Sequence, residues 1–170
     1  MKKIVLIVGA SGVGKDTLLK AVKNEIKANF VKRYITREPD TNESNFYLDK
    51  EAFENLEKSD YFVSVWKAHN NYYAIAKSHI KEGLNIISIS REAIKDFENS
   101  FDDVTTIEIG IPKEMLYARL KNRGRENEEA ILKRIERYGQ KIEAKNLIYF
   151  DNSRPLEESK KAFLALLNSL

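Results

Sequence analysis

Hydrophobic and polar positions divide the chain into two alternating kinds of segment. The first kind is a continuous run of mostly branched apolar residues, which is typical of a strand buried on both faces of a sheet. Such runs predict strands over residues 3–8, 61–66, 85–89, 104–109 and 147–150, with a shorter extended piece over 31–36.

Between these runs, apolar residues recur every three or four positions, which predicts amphipathic helices. The predicted helices cover 15–28, 51–57, 76–82, 128–143 and 155–167, and a further one begins at Pro112. Asn127 is the expected N-cap of the helix over 128–143, because its side chain can accept a hydrogen bond from the first turn. Strands that alternate with helices predict a three-layer α/β fold, a mostly parallel sheet flanked by helices that binds ligands at the carboxyl ends of its strands.

A glycine-rich loop joins the first predicted strand to the first predicted helix. It reads Gly9, Ala10, Ser11, Gly12, Val13, Gly14, Lys15, Asp16, Thr17. In this position the glycines let successive N–H groups turn towards phosphate oxygens, and the helix N-terminus adds its partial positive charge. Lys15 can reach the outer phosphates, so the loop predicts a P-loop that binds ATP.

One position of this loop departs from the usual P-loop pattern. The residue after the lysine is normally Ser or Thr, whose hydroxyl binds Mg²⁺. Here Asp16 follows Lys15 and the hydroxyl comes at Thr17, while the strand over 85–89 ends without a carboxylate. We hypothesise that Asp16 and Thr17 serve Mg²⁺, directly or through water, because carboxylates are ligands that Mg²⁺ prefers. The alternative is that Asp16 only caps the helix.

Composition removes several other classes of function. The 170 residues include 29 Lys and Arg against 26 Asp and Glu, a net charge of only +3, which argues against a nucleic-acid partner. There is no Cys, which excludes disulfides, Cys-ligated zinc and thiol nucleophiles and favours a cytoplasmic location. The apolar runs are too short for a membrane span. Whether the protein is a monomer or a homodimer stays open.

The positive charge is concentrated in one segment. Residues 119–137 contain seven basic and four acidic residues. The net charge of this segment, +3, equals that of the whole chain. Arg123 and Arg125 flank Gly124 between two predicted helices, with Arg119 and Arg134 on the adjoining helices. This arrangement predicts a closing lid whose arginines neutralise a transferring phosphoryl group. The alternative is a solvated basic loop.

Several of these motifs together resemble a known family. The P-loop with its Lys-Asp pair, and residues 33–37, 66–73, 90–91 and 119–127, are similar to the guanylate-kinase-like branch of nucleoside monophosphate kinases. Within that branch the details resemble the ribose 1,5-bisphosphate phosphokinases. The resemblance implies one P-loop kinase domain over 1–170, an acceptor-binding insertion at about 31–80 and a lid at about 119–137. It also implies ATP and Mg²⁺ as cofactors and a phosphorylated small molecule as acceptor.

The sequence also departs from the guanylate kinases themselves. Asp40 stands where they carry a second arginine, and their Gly-x-Asp-Tyr segment is absent from the sequence. Asn70 and Ala74 occupy positions where family members often carry glycine. These departures favour transfer to ribose 1,5-bisphosphate, giving 5-phosphoribosyl 1-diphosphate, over recognition of guanine. A guanylate or other nucleoside monophosphate kinase and an inactive nucleotide-binding module remain the alternatives.

The resemblance and the residue types together give a set of candidate substrate residues. Arginines suit the acceptor phosphate because their guanidinium groups can bind it through two parallel hydrogen bonds. The candidates are Arg33, Thr36, Arg37, Glu43, Asn45, Trp66, His69, Tyr72, Tyr73, Ser90 and Arg91, with Asn152 and Arg154 near the adenine of ATP. For the arginines the alternative is a solvated strand face, for Trp66 a place in the core, and for His69 a structural role.

Overall fold

The structure, a computed structural model, describes residues 1–38 and 44–170, which fold into two compact units. The first unit consists of Met1–Ile7, Ala28–Thr106 and Ala144–Asn146. The second consists of Val8–Lys27, Ile107–Glu143 and Leu147–Leu170. The chain therefore contributes three separate segments to each unit.

Strands and helices alternate along the described residues. The strands are β1 (Lys2–Val8), β2 (Asn29–Phe30), β3 (Tyr34–Ile35), β4 (Phe46–Tyr47), β5 (Phe62–Ala68), β6 (Asn71–Ala76), β7 (Gly83–Ser88), β8 (Val104–Gly110) and β9 (Leu147–Asp151). The helices are α1 (Lys15–Val22), α2 (Lys50–Lys58), α3 (Ile94–Ser100), α4 (Lys113–Arg123), α5 (Glu128–Tyr138) and α6 (Leu156–Ser169). Short 3₁₀ turns cover Lys77–His79 and Arg91–Ala93.

The larger sheet has the strand order β2-β7-β1-β8-β9. β7 pairs in parallel with both β1 and β2, and Ile4 lies opposite Asn85 in the β1–β7 register. The residues from Ile4 to Ile7 have no exposed surface, as the continuous apolar run predicted. The predicted α/β fold with a mostly parallel sheet flanked by helices is confirmed.

The first unit also contains a second sheet, with the strand order β4-β3-β6-β5. β6 pairs antiparallel with both β3 and β5. β5 turns into β6 at His69 and Asn70, which both adopt left-handed backbone conformations, with φ of 50° and 63°. This sheet packs an apolar cluster that includes Phe53 and Phe62. The sequence predicted β5 but not β6 or this antiparallel sheet.

The helix predicted over 76–82 is wrong. Those residues contain the last residue of β6, one 3₁₀ turn and an extended link to β7. The cause is the buried side chain of Asn85, whose Oδ1 accepts from the Lys81 N–H at 2.9 Å and whose Nδ2 donates to the Lys81 carbonyl at 2.8 Å. A helix would need those same backbone groups for its own hydrogen bonds.

Two other predicted helices are shorter than expected. α1 ends at Val22 instead of residue 28. Just after this end, the Glu25 N–H donates to the Val22 carbonyl, three positions back, and forms a turn. α5 ends at Tyr138 instead of residue 143, and Gly139 makes the equivalent turn bond to the Glu136 carbonyl.

Both helix starts that the sequence specified lie close to their expected places. The Asn127 side chain accepts a hydrogen bond from the Ala130 N–H at 2.9 Å, so the predicted N-cap of α5 is confirmed. Pro112 immediately precedes α4, as its N-cap residue. Within the described part of the chain, the helices are too short or too polar to cross a membrane.

Candidate active site

The glycine loop lies in the second unit, between the end of β1 and the start of α1. Gly12 and Gly14 have φ of 100° and 82°, a left-handed conformation that residues with a Cβ rarely adopt. A Cβ on Gly9 would lie 2.7 Å from the Ile109 carbonyl oxygen. The Lys15 Nζ donates to the Gly9 carbonyl at 3.4 Å and so lies over the loop. The predicted P-loop conformation is therefore present.

Two of the predicted lid arginines contact this loop directly. The Arg119 guanidinium on α4 donates to the Gly12 carbonyl at 3.0 Å. The Arg123 guanidinium, at the end of the same helix, donates to the Ser11 hydroxyl at 3.3 Å. One of the five N–H donors on each guanidinium makes the bond to the loop, so others stay available for phosphate oxygens. The structure thus places two arginines in direct contact with the glycine loop.

The other two lid arginines differ from these. Arg134 donates from Nε to the Glu126 carboxylate at 2.7 Å, an ion pair that holds α5 against the loop preceding it. Arg125 is exposed and follows Gly124, which ends α4 with a φ of 62°. The structure therefore brings Arg119 and Arg123 to the loop, and it gives Arg134 a carboxylate partner instead.

Asp16 and Thr17 occupy the first turn of α1, and both are exposed. Gly14 is the N-cap of this helix, and no described side chain makes the capping hydrogen bond there, so Asp16 is not a cap. Mg²⁺ bound with phosphates usually takes only one or two protein carboxylates, with water and phosphate oxygens completing its shell. A single exposed Asp beside the loop fits that demand, and the described residues contain no cluster of three His, Asp or Glu for another metal.

Asn152 follows β9 and is nearly buried, with 8% of its surface exposed. Its side-chain Nδ2 donates to the Val13 carbonyl of the loop at 2.8 Å. Its backbone N–H donates to the Gly110 carbonyl at 2.8 Å, which fixes the residue to the end of β8. The sequence singled out Asn152 for a contact to adenine and missed its contact to the loop, which lies 139 positions away.

The candidate acceptor residues lie in the first unit. The Arg33 guanidinium lies over the Tyr73 ring, 5.3 Å from its centroid, and Tyr73 stacks on Trp66 with centroids 5.8 Å apart. Trp66 and Tyr73 are 6% and 7% exposed. Arg33 also donates from Nε to the Asn45 side-chain oxygen at 3.4 Å. The two aromatic rings therefore support Arg33 from behind, and Trp66 belongs to the core, the alternative that the sequence left open.

The remaining acceptor candidates are more scattered within this unit. The Thr36 hydroxyl accepts from the Tyr72 N–H at 3.0 Å, which ties β6 to the segment after β3. His69 is exposed in the β5–β6 turn. Ser90 and Arg91 follow β7 and open a 3₁₀ turn, and Arg37 is half-buried. Glu43, with Asp40, lies outside the described residues.

The sequence also missed a tyrosine at the base of the lid. The Tyr138 hydroxyl at the end of α5 accepts from the Ile111 N–H at 2.8 Å and donates to the Ile111 carbonyl at 2.6 Å. Its place at helical spacing after Ile131 and Ile135 indicated only an apolar face. The polar end of the side chain was the available signal, since buried phenols usually find a hydrogen-bond partner.

Comparison with known proteins identifies the family of this chain. The guanylate kinase family model matches residues 1–162, nearly the whole sequence. The chain belongs to the guanylate kinase family. Together with its P-loop and lid arginines, this membership makes it an ATP-dependent kinase.

Curated relatives match this chain along almost their full length. Ribose 1,5-bisphosphate phosphokinase PhnN of Desulfomicrobium baculatum is 31% identical, and the match covers 98% of this chain and 95% of that protein. The phosphokinase PhnN of Agrobacterium fabrum is 30% identical, over 96% of this chain and 95% of that protein.

Two solved structures share the fold. Guanylate kinase from Anaplasma phagocytophilum superposes with a TM-score of 0.66 at 18% identity, covering 99% of this chain and 85% of that one. A sugar kinase from Janibacter gives a TM-score of 0.55 at 19% identity, covering 99% of this chain and 95% of that one. At these identities the structures support the P-loop kinase fold alone.

Proposed function

We propose that this kinase transfers the γ-phosphoryl group of ATP to a phosphate of ribose 1,5-bisphosphate, giving 5-phosphoribosyl 1-diphosphate and ADP. The observation that carries the acceptor is the near full-length similarity to proteins named ribose 1,5-bisphosphate phosphokinase, 31% identical over 98% of the chain in one case. The sequence supports the same choice, because Asp40 stands where guanylate kinases carry an arginine.

The chemistry needs positioning and charge neutralisation more than proton transfer. An oxygen of the acceptor phosphate forms a bond to the γ-phosphorus, and the bond from that phosphorus to the β,γ-bridging oxygen breaks, so ADP leaves. The attacking oxygen is already anionic at neutral pH, so no strong general base is required. This suits a loop that has the cations Lys15, Arg119 and Arg123 in direct contact with it.

Each part of the phosphate loop has a defined task in this proposal. The N–H groups of residues 9–17 hold the phosphate chain of ATP at the start of α1. Lys15 and the lid arginines Arg119, Arg123, Arg125 and Arg134 neutralise the charge that spreads over the transferred group. Arg134 exchanges its Glu126 carboxylate for phosphate when the lid closes. Mg²⁺, held through Asp16 with help from Thr17, would neutralise phosphate charge and orient the outer phosphates.

The acceptor side of the proposal centres on Arg33. Stacking on Tyr73 limits the rotation of the Arg33 side chain, so its planar guanidinium is oriented before a phosphate arrives. We assign Arg37 to the same anion and Glu43 and Asn45 to the sugar hydroxyls. We place Thr36, His69, Tyr72, Ser90 and Arg91 around the same ligand. The acceptor is a free small molecule, and the reaction belongs in the cytoplasm.

An acceptor screen tests this function. ADP release with ATP and Mg²⁺ is measured in separate reactions with ribose 1,5-bisphosphate, GMP, dGMP and AMP, and the product is identified by ³¹P NMR. We expect turnover with ribose 1,5-bisphosphate and the new signals of a diphosphate. The variant Lys15→Ala, made in parallel, should abolish that turnover and exclude a contaminating kinase.

The other outcomes select the alternatives. Turnover with GMP or dGMP but not with the sugar bisphosphate would make the protein a guanylate kinase, which its family membership favours as the second candidate. The absence of turnover with every acceptor, combined with calorimetric binding of ATP, would make it an inactive nucleotide-binding module.

A further inference from the structure

Two consecutive carbonyl groups of the phosphate loop are held by side chains from elsewhere in the second unit. Arg119 on α4 bonds the Gly12 carbonyl at 3.0 Å, and Asn152 after β9 bonds the Val13 carbonyl at 2.8 Å. The Asn152 bond is the more buried of the two, and the backbone of that residue is fixed in turn to Gly110. The loop is therefore restrained from outside at the centre of its glycine segment.

Because the peptide bond is planar, holding the Val13 carbonyl also determines where the following N–H points. In a trans peptide the C=O and the following N–H point to opposite sides of the bond, and no peptide in the described chain is cis. Because the Val13 carbonyl points at Asn152, the N–H of Gly14 points to the other side. With the described residues this N–H makes no hydrogen bond, which leaves it available to a ligand.

The space around Gly14 shows how closely the amide is fitted. A Cβ built on Gly14 would lie 2.8 Å from the Asn152 Nδ2, a distance that real Cβ atoms do not adopt. Gly14 also needs its left-handed φ of 82° to start α1. The loop glycine and the amide therefore share one tight contact, in which any side chain at position 14 would displace Asn152.

We infer that Asn152 is a positioning residue of the phosphate loop, whose amide holds the Val13 carbonyl outward so that the Gly14 N–H donates to a phosphate oxygen of ATP. This inference rests on the proposed function, because it assumes that the loop binds the phosphates of ATP. It differs from the sequence-based expectation, in which Asn152 contacts adenine. A residue that orients the loop affects the affinity for every ligand with a phosphate chain. A residue that contacts adenine affects the affinity only for ligands that carry the base.

The variant Asn152→Asp separates these roles. It keeps the shape of the side chain but presents a carboxylate oxygen to the Val13 carbonyl where a donor stood, so the two oxygens repel each other. Calorimetry measures the affinity of wild type and variant for ATP and for inorganic tripolyphosphate, each with Mg²⁺. We expect Asn152→Asp to weaken both ligands by a similar factor, about tenfold or more.

A matched control uses the same substitution at another amide-to-carbonyl bond. Asn146 donates from Nδ2 to the Val104 carbonyl at 3.1 Å, and both residues belong to the first unit, whereas the phosphate loop belongs to the second. Asn146→Asp should leave both affinities within about twofold of wild type. Thermal unfolding of both variants shows that each is folded at the temperature of the titrations.

Each outcome decides the inference. A loss of ATP affinity with unchanged tripolyphosphate affinity would assign Asn152 to the base and overturn the inference, and so would unchanged affinity for both ligands. If wild type binds neither ligand, the proposed function fails first, and the inference, which needs that function, fails with it.

If Asn152→Asp does not fold, NMR of the wild type gives the answer. The side-chain amide signals of Asn152 should shift equally with ATP and with tripolyphosphate, and the Gly14 amide proton should shift with both. A shift of the Asn152 signals that appears with ATP alone would contradict the inference.

Discussion

Arg123 joins the end of α4 to the glycine loop through a side-chain hydrogen bond. It reaches Ser11 from the last turn of α4, and its N–H group lies 3.3 Å from the hydroxyl. The bond is long for a hydrogen bond, so little stabilisation is lost when a phosphate replaces the hydroxyl as its acceptor. In the proposed function, the Arg123 guanidinium exchanges the Ser11 hydroxyl for the transferring phosphoryl group and neutralises its charge.

The variant Arg123→Ala should lower kcat by about 10³-fold or more if this guanidinium stabilises the transferring phosphoryl group. The measurement is steady-state ADP release with saturating ATP and ribose 1,5-bisphosphate. Lys133→Ala serves as the control, because the Lys133 side chain is 74% exposed and, within the described residues, pairs only with Glu129 on the same helix. A loss of less than about tenfold at position 123 would make Arg123 a surface residue and contradict its role.

The residues of the phosphate loop could be predicted because they are neighbours in the sequence. Glycine spacing, Lys15 and the flanking strand and helix all lie within residues 3–28. The support for that loop could not be predicted, because Asn152 lies 139 positions from Val13 and nothing local marks the pair. The support of Arg33 by Tyr73 and Trp66 could not be predicted either, because it depends on the register of β5 against β6.

At the scale of elements, α4 and α5 form a hairpin that carries the lid arginines. The Tyr138 hydroxyl bonds both backbone groups of Ile111, two residues before α4 begins. The start of the first helix and the end of the second are thereby fixed at one point of the chain. The arginine-containing turn around Gly124 is at the opposite end of the hairpin, where Arg123 bonds Ser11 of the loop instead.

The variant Tyr138→Phe should reduce the free energy of unfolding by about 1–3 kcal/mol, because the N–H and the carbonyl of Ile111 lose their partner together. Urea unfolding measures the change. Tyr117→Phe is the matched control between the same two helices, since its hydroxyl bonds Glu128 at an exposed position, and it should have little effect. Equal effects of the two variants would contradict a special role for Tyr138.

The sequence predicted helices better where their ends carry local signals. The Asn127 cap fixed the start of α5, whereas nothing in the spacing of apolar residues marked its end at Tyr138. Ile142 continues the apolar period and is buried, yet it lies outside the helix. The helix expected over 76–82 failed because Asn85, a residue beyond that segment, takes its backbone groups. A local side-chain hydrogen bond to the backbone overrides the period at 76–82, and beyond α5 the apolar period continues only because Ile142 is buried outside the helix.

At the scale of the whole molecule, unfolding should depend on alkaline pH through tyrosines of both units. Burial and the neighbouring Tyr138 raise the pKa of Tyr149 from 10.0 to about 12, and burial with the neighbouring Tyr61 raises the pKa of Tyr34 to about 12. Tyr149 exposes 55% of its surface, but its hydroxyl lies against Gly110 and Tyr138, which explains why burial affects the ionising end.

The sign of the effect follows from the raised pKa. Below pH 10 these tyrosines are protonated in both states, and their contribution to stability is complete. Between pH 10 and 12 the unfolded chain loses these protons first, so the free energy of unfolding should fall as the pH rises through this range. Denaturant unfolding across that range measures it, and Tyr149→Phe should make the fall shallower. An unchanged slope in this variant would contradict the raised pKa of Tyr149.

The contact between Asn152 and Val13 also has a consequence for synthesis on the ribosome. The glycine loop is translated 139 positions before the residue whose side chain holds it. A nascent chain therefore carries the loop without this restraint until Asn152 has been added, after both lid helices have been made. Nucleotide binding that depends on this contact should begin only in nascent chains that already extend past β9.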